Sequence, residues 1–470
     1  MICRILLSLV VLFPVAAFGE ARAADLFARY SLVAYDPLDD ETVLVVRAVL
    51  DGAGTACPML TIDGAETAMR PRVNPDAARF PVTVCEAVAP LASTVSLGDT
   101  VWPTLAGYDG GDLHVVLFGD TGCKGGTQQD CATAWPFAGI ASGAAATAPD
   151  LVLHVGDWDY LGTPSTNAGG ERAYDGCLPA DDGALFSLAE LSDWSTWRDD
   201  VLTPAAPLFE AAPWIVTRGN HELCSRAGQG WFYLLDPHSA LLDPYHAEPS
   251  CDAPSVLSDP YPLHVGGLTI LVADDVNACD NKDWQDDAAW AYQARLLAPT
   301  VDRIAQFAKR EARPVWLVTH RPLWGAVQFE ENGAVIDGTL AWRLALHASL
   351  EGELPDNVAL LVAGHIHDAQ ALVFDGDRPP QLIVGNGGAL LDENYIDRPV
   401  DVELDGLAAT GWINATPGAK HGFGYLDVEV SNAADWRGRM PAYDPDGTPA
   451  GVDLMVCAMP VRDGMLCGPP

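Results

Sequence analysis

Apolar and polar positions along the chain fall into two regimes. From Asp25 to about Tyr108, short runs such as TVLVVRAVL, CPMLTI, RFPVTVCEAV and STVSL are separated by turn residues. No helical period persists there, which predicts an all-β module, a sandwich. Tyr108-Asp109-Gly110-Gly111-Asp112 reads as a turn-rich boundary. Beyond it, strand-like runs alternate with longer helical segments, the mark of an α/β layer architecture. The strand candidates are LHVVLFGD (113–120), LVLHVGD (151–157), PWIVTRGN (213–220), LTILVADD (268–275), PVWLVTH (314–320), ALLVAGH (359–365) and QLIVGNGG (381–388). They are almost continuously apolar, as strands buried on both faces should be. Helical segments are expected at 133–148, at 284–312 with a break at Pro299, and at 339–352. After Val400 the text turns polar and rich in Gly and Pro, with one late strand, GFGYLDVEV (422–430). The expected organisation is a leader at 1–23, a β-sandwich at 24–110, an α/β domain at 111–435 and a loop-rich tail at 436–470.

The leader reading comes from MICRILLSLVVLFPVAAFGEARAAD, in which Arg4 precedes an apolar stretch from Ile5 to Phe18 and the small-residue pattern Ala21-Arg22-Ala23. This is the layout of a secretory signal, and Pro14 interrupts a stretch already short for a membrane span. A secreted or periplasmic protein without stable membrane insertion is expected. Of 11 cysteines, Cys3 lies in the leader, leaving 11 − 1 = 10, an even number suited to disulfides in an oxidising compartment. Cys57 with Cys85, Cys123 with Cys131, and Cys457 with Cys467 suggest themselves as local pairs, although spacing does not determine connectivity. With 26 basic and 64 acidic residues the formal charge is −38. Such a surface repels nucleic acid and anionic lipid, and it disfavours phosphate-bearing substrates unless local positive charge overrides it.

The chemistry gathers at strand ends. Five of the seven strand candidates finish in Asp120, Asp157, Asn220, His320 and His365, residues of types that bind metal well. In open α/β sheets, ligands collect beyond the carboxyl ends of the strands, so one site can gather all five. Taken singly, a Gly-Asp pair is often only a turn or cap, and a strand-end histidine is often an interior residue. Their joint occurrence points to a site. In GDWDY, Tyr160 follows Asp157 by three residues, so a helical turn there would put both on one side. In GHIH, His365 and His367 are two apart and share a face of an extended segment. Two carboxylates, an amide, a phenol and three imidazoles exceed what one structural zinc needs and suit two metal ions sharing a carboxylate. A trivalent and a divalent ion would leave the site locally positive inside an acidic protein. The sequence contains no G-x-S-x-G elbow, no G-x-x-x-x-G-K-[ST] loop and no H-E-x-x-H helix.

Five blocks in order, GDTG (119–122), GDWDY (156–160), GNHE (219–222), VTH (318–320) and GHIH (364–367), resemble those of the metallophosphoesterases. Within them, Asp120-Thr121-Gly122 in place of Asp-x-His, together with the phenol Tyr160, resembles the purple acid phosphatases. The resemblance spans about residues 112–430. It implies iron(III) held by Asp120, Asp157, Tyr160 and His367. A divalent zinc, manganese or iron ion would be held by Asp157, Asn220, His320 and His365, with Asp157 bridging. The fold it implies is a calcineurin-like sandwich of two mixed β-sheets flanked by helices, after a fibronectin-like all-β module.

The implied reaction is hydrolysis of a small phosphate monoester by a metal-bound hydroxide, with His221 assisting from the outer sphere and Glu222 orienting His221. Where many relatives place further histidines after the fourth block, this chain has Phe329 and Glu330, so the resemblance assigns no group to protonate the leaving alcohol. Arg321, Arg218 and Lys124 lie beside motifs and could touch phosphate, but solvated or sheet-covering roles are expected for them. A phosphodiesterase or nucleotidase on the same scaffold is the alternative. An adhesion protein working through its β module is a third reading, opposed by the complete ligand set. Asn414-Ala415-Thr416 is a glycosylation sequon.

Overall fold

The computed structural model describes residues 26–74, 76–125, 129–160, 192–227, 229–244, 257–278, 287–325, 339–392, 400–404, 407–413, 422–460 and 464–468. The expected leader, Phe329, Glu330 and the Asn414 sequon lie outside the described residues.

Two large mixed sheets pack face to face. The first has at its centre the parallel strands Leu113–Phe118, Leu151–His154 and Trp214–Val216. The second is built on Leu268–Val272, Val315–Val318, Val358–Ala363 and Gln381–Val384, also parallel to one another. Alternation along each strand serves two cores, since successive side chains point to opposite faces. Val115, Leu117, Leu151 and Leu153 meet Ile270, Val318, Leu360 and Val362 between the sheets. Val116, Phe118, Val152 and Val216 face the helices Phe137–Ala146, Thr203–Phe209 and Gly230–Leu234. On the far side, Leu271, Leu317 and Leu361 pack under Asp287–Arg310 and Leu340–Leu350. Helix, sheet, sheet and helix therefore form four layers, which is why the strands read as unbroken apolar runs.

The expected break at Pro299 does not occur: Asp287–Arg310 is one helix that passes through Pro299. Proline removes one helical hydrogen bond, but Leu297, Val301 and Ile304 on either side of it are locked into the same core. The tail differs as well. Asp435–Tyr443, Pro449–Met459 and Leu466–Gly468 extend the first sheet beyond Leu426–Asn432. Proline argues against a central strand, but here the ladder shifts register at Pro441, an irregularity where proline is tolerated, and Pro449 is the first residue of its strand. Cys57–Cys85, Cys123–Cys131 and Cys457–Cys467 are all disulfides.

The N-terminal region is all-β, as expected. Leu44, Val46, Ala48 and Leu50 share a core with Leu60, Val95 and Trp102, forming a sandwich with a small four-stranded sheet. Its principal strands are also continuous with the first large sheet, through parallel pairing of Leu32 with Trp214. A buried ionic cluster fastens the join. Arg47 and Arg72 both reach Glu86, at 3.3 and 3.0 Å, and donate to the carbonyls of Leu234 and Phe232.

Candidate metal centre

The two parallel strand sets deliver their carboxyl ends to one place. Asp120 follows Leu113–Phe118, Asp157 follows Leu151–His154, Asn220 and His221 follow Trp214–Val216, His320 follows Val315–Val318, and His365 and His367 follow Val358–Ala363. The chain must leave each sheet sharply here. Asp120, Asp157 and His365 all have positive φ, at 55°, 59° and 71°. Such backbone is uncommon for side chains with a Cβ, and it concentrates at functional sites. The glycines before the ligands have a steric reason. A Cβ on Gly364 would collide with Asp120 Oδ2, and one on Gly219 would collide with Asp157 Oδ1.

Two groups of donor atoms converge, sharing Asp157: Asp120, Asp157 and His367 in one, Asp157, His320 and His365 in the other. Tyr160 completes the first. Its hydroxyl oxygen lies 3.0 Å from Asp120 Oδ1, 2.9 Å from Asp157 Oδ2 and 2.7 Å from His367 Nε2. A phenol carries one proton and satisfies one acceptor, so three acceptors around it match a cation better than a hydrogen-bond network. Asn220 completes the second, its Oδ1 lying 3.0 Å from His320 Nε2 and 2.9 Å from His365 Nδ1.

The surroundings fix the ligand tautomers. His320 Nδ1 donates to Val155 O at 2.8 Å, and His367 Nδ1 donates to Leu390 O at 2.8 Å. In each ring this leaves Nε2 as the lone-pair nitrogen facing the centre. Glu222 is fully buried and accepts the backbone amides of Asp157, Trp158, Asp159 and Gly219 at 2.7–3.2 Å. Expected to orient His221, it holds the turns that carry Asp157 and Asn220, and it reaches His221 through backbone. His221 itself donates its amide to Asp157 Oδ1 at 2.8 Å, and its ring packs on Tyr160 with centroids 3.9 Å apart.

The electrostatics fit cation binding. Burial would raise the Asp157 carboxyl, but its histidine neighbours, His320 foremost, outweigh it and hold it well below the usual range. Burial lowers His320, yet Asp157 pushes it up to about 10. A nitrogen that attracts a proton so strongly is one where a metal competes for the same lone pair. Burial, then the charges of Asp120 and Asp157, push the Tyr160 phenol well above its normal value, so a highly charged cation is needed to ionise it. Burial raises Glu222 to about 8 and keeps the His221 imidazole well below its ordinary value, against the pull of Asp157.

All seven expected ligands are thus brought together. Arg218 and Arg321 are buried scaffold: Arg218 bonds Glu222 O and covers the Phe232 ring, while Arg321 bonds the carbonyls of Asp275 and Val276. Lys124 is different, for its ammonium stands 5.9 Å from the centre of the Tyr160 ring. Sequence reasoning missed Asp392, whose carboxylate accepts the His367 amide at 2.9 Å, and His154, which lies 3.4 Å from the Trp158 ring and meets Thr121 Oγ1. His154 closes an apolar strand without a preceding glycine, and nothing marks Asp392 in LLDEN.

The model of the calcineurin-like phosphoesterase domain matches residues 111–369, more than half of the chain. The chain belongs to that family. This calcineurin-like phosphoesterase is therefore a hydrolase of phosphoric esters, and the two converging residue groups fit the dinuclear metal centre that the family implies. No curated protein matches the phosphoesterase. Among solved structures it is similar to a purple acid phosphatase from yellow lupin (Lupinus luteus) seeds, at 14% identity and TM-score 0.48, over 89% of this chain and 73% of that one. A second is the anchor protein of the inner membrane complex of Plasmodium, at 12% identity and TM-score 0.36, over 71% of this chain and 85% of that one.

Proposed function

We propose that this phosphoesterase is an exported phosphomonoesterase of the purple acid phosphatase type. The observation that carries the reading is the Tyr160 hydroxyl set among Asp120, Asp157 and His367, a hard anionic oxygen set suited to iron(III). Asp120, Asp157, Tyr160 and His367 would hold iron(III), while Asp157, Asn220, His320 and His365 would hold a zinc, manganese or iron(II) ion. When bound, the pair supplies Lewis acidity to the phosphate and a water that ionises near neutral pH.

The chain's own residues do the rest. The buried strand ends and Glu222 fix the donors in place before substrate arrives, so little reorganisation accompanies reaction. His221 is half-buried, packed on Tyr160 with the two rings inclined at 33°, and neutral at neutral pH. It is placed to donate a hydrogen bond to a phosphate oxygen as charge builds there, and to pass a proton. The disulfides Cys57–Cys85, Cys123–Cys131 and Cys457–Cys467 suit an oxidising compartment. Turnover of p-nitrophenyl phosphate compared with bis(p-nitrophenyl) phosphate tests the monoester assignment. Faster diester turnover would favour the phosphodiesterase alternative.

A further inference from the structure

Lys124 is one of only four lysines in a chain of net charge −38. It stands at the metal centre, half-buried, with Nζ over the Tyr160 ring and within the electrostatic reach of the Asp392, Asp120 and Asp157 carboxylates. Its ammonium makes no ion pair or hydrogen bond among the described residues. A lysine serving only to neutralise these carboxylates would be expected to reach one.

The loop carrying it is held from both sides. Its neighbour Cys123 is bonded to Cys131. The Lys124 amide donates to Gln129 Oε1 at 3.0 Å, and the same oxygen accepts Leu390 N at 3.0 Å. Gln129 Nε2 donates to Ala134 O and Gly388 O, both at 2.9 Å. Leu390 in turn supplies the carbonyl that fixes His367. One buried amide therefore sets the lysine and the iron-side histidine in a common frame.

Resting on the phosphoesterase reading, we propose that Lys124 is a substrate-binding residue that contacts the non-bridging oxygens of the phosphate group. It thereby favours the doubly charged monoester over the singly charged diester. An ammonium is a compact point charge that engages phosphate by charge-assisted hydrogen bonds. Such a contact is weaker to a diester, because the second esterification removes one of the two charges on the non-bridging oxygens.

The test compares the metal-loaded enzyme with Lys124→Met and Lys124→Arg. The readouts are metal content, calorimetric affinity for inorganic phosphate, and kcat/KM on p-nitrophenyl phosphate and bis(p-nitrophenyl) phosphate. Lys124→Met should keep its metals, weaken phosphate binding by about tenfold or more, and lose more on the monoester than on the diester. Lys124→Arg should recover most of the loss. Phosphate affinity within about twofold of wild type in Lys124→Met, loss of metal, or equal losses on both esters would overturn the proposal. A wild type that turns over neither ester defeats the phosphoesterase reading instead, while the phosphate-binding comparison still decides the role of Lys124.

Discussion

Tyr160 and His367 meet with the phenol oxygen 2.7 Å from Nε2, while the other nitrogen of that ring is committed to Leu390 O at 2.8 Å. The two side chains come from turns that follow strands in different sheets, 207 residues apart. With His367 Nδ1 acting as the donor, Nε2 offers a lone pair, and the phenol proton has Asp120 and Asp157 as further acceptors.

Replacement of Tyr160 by Phe removes one oxygen from the first group and leaves Asn220, His320 and His365 untouched. Under the proposed iron(III) assignment, the variant is expected to lose the visible tyrosinate-to-iron(III) absorption and to bind iron less tightly while keeping the divalent ion. Absorption spectra and elemental analysis of the same sample check this. A Tyr160→Phe protein with the wild-type band would show that another group produces the colour.

Gly364 has no positive φ, so its importance is steric alone: a Cβ there would collide with Asp120 Oδ2. Gly364→Ala is expected to lower stability by about 1–3 kcal/mol, as overpacking does, and to displace Asp120 from the first group. Urea denaturation and iron content measure the two effects, and unchanged iron binding would refute the steric explanation.

At the seam of the N-terminal sandwich, burial alone would raise the Glu86 carboxyl, but Arg72 and Arg47 outweigh it and hold it below the usual value. A carboxyl lowered by folding contributes stability that is present above its unfolded value, about 4.3. That contribution is lost as pH falls through the folded value. Glu86→Gln removes the carboxylate that the buried Arg47 and Arg72 share, leaving Arg72 with Asp236 at 3.5 Å, so the variant should be about 3 kcal/mol less stable at pH 6. The gap to wild type should shrink as pH drops below about 4. Urea midpoints across that range test the sign, and a gap that widens toward acid would contradict it.

Much of this was legible in the sequence. Strands such as LVLHVGD and ALLVAGH were recognisable because burial on both faces leaves them almost no polar residues. Asp120, Asp157, Asn220 and His365 were recognisable because each closes such a strand after a glycine, and His320 because it closes one after Thr319. What escaped notice depends on contacts between distant segments. The link from Gln129 to Leu390 spans 261 residues and leaves no periodic trace. For Lys124 the sequence leaves phosphate contact and a solvated or sheet-covering role both open, because the ring it stands over lies on another turn. Pairing of Leu32 with Trp214 is equally silent, since a strand's own pattern does not name its neighbour. The tail strands were hidden by proline at a register shift, and the unbroken helix through Pro299 by tertiary packing that overrides local propensity.

The central claim is that Asp157 bridges two metal ions on which phosphate-ester hydrolysis depends. Elemental analysis and p-nitrophenyl phosphate turnover, measured on the same preparations of wild type and Asp157→Ala, test it most directly. Wild type should hold about two ions per chain, and the variant should lose most of both along with its turnover. A folded Asp157→Ala protein that keeps both ions and hydrolyses the ester at the wild-type rate would contradict the account.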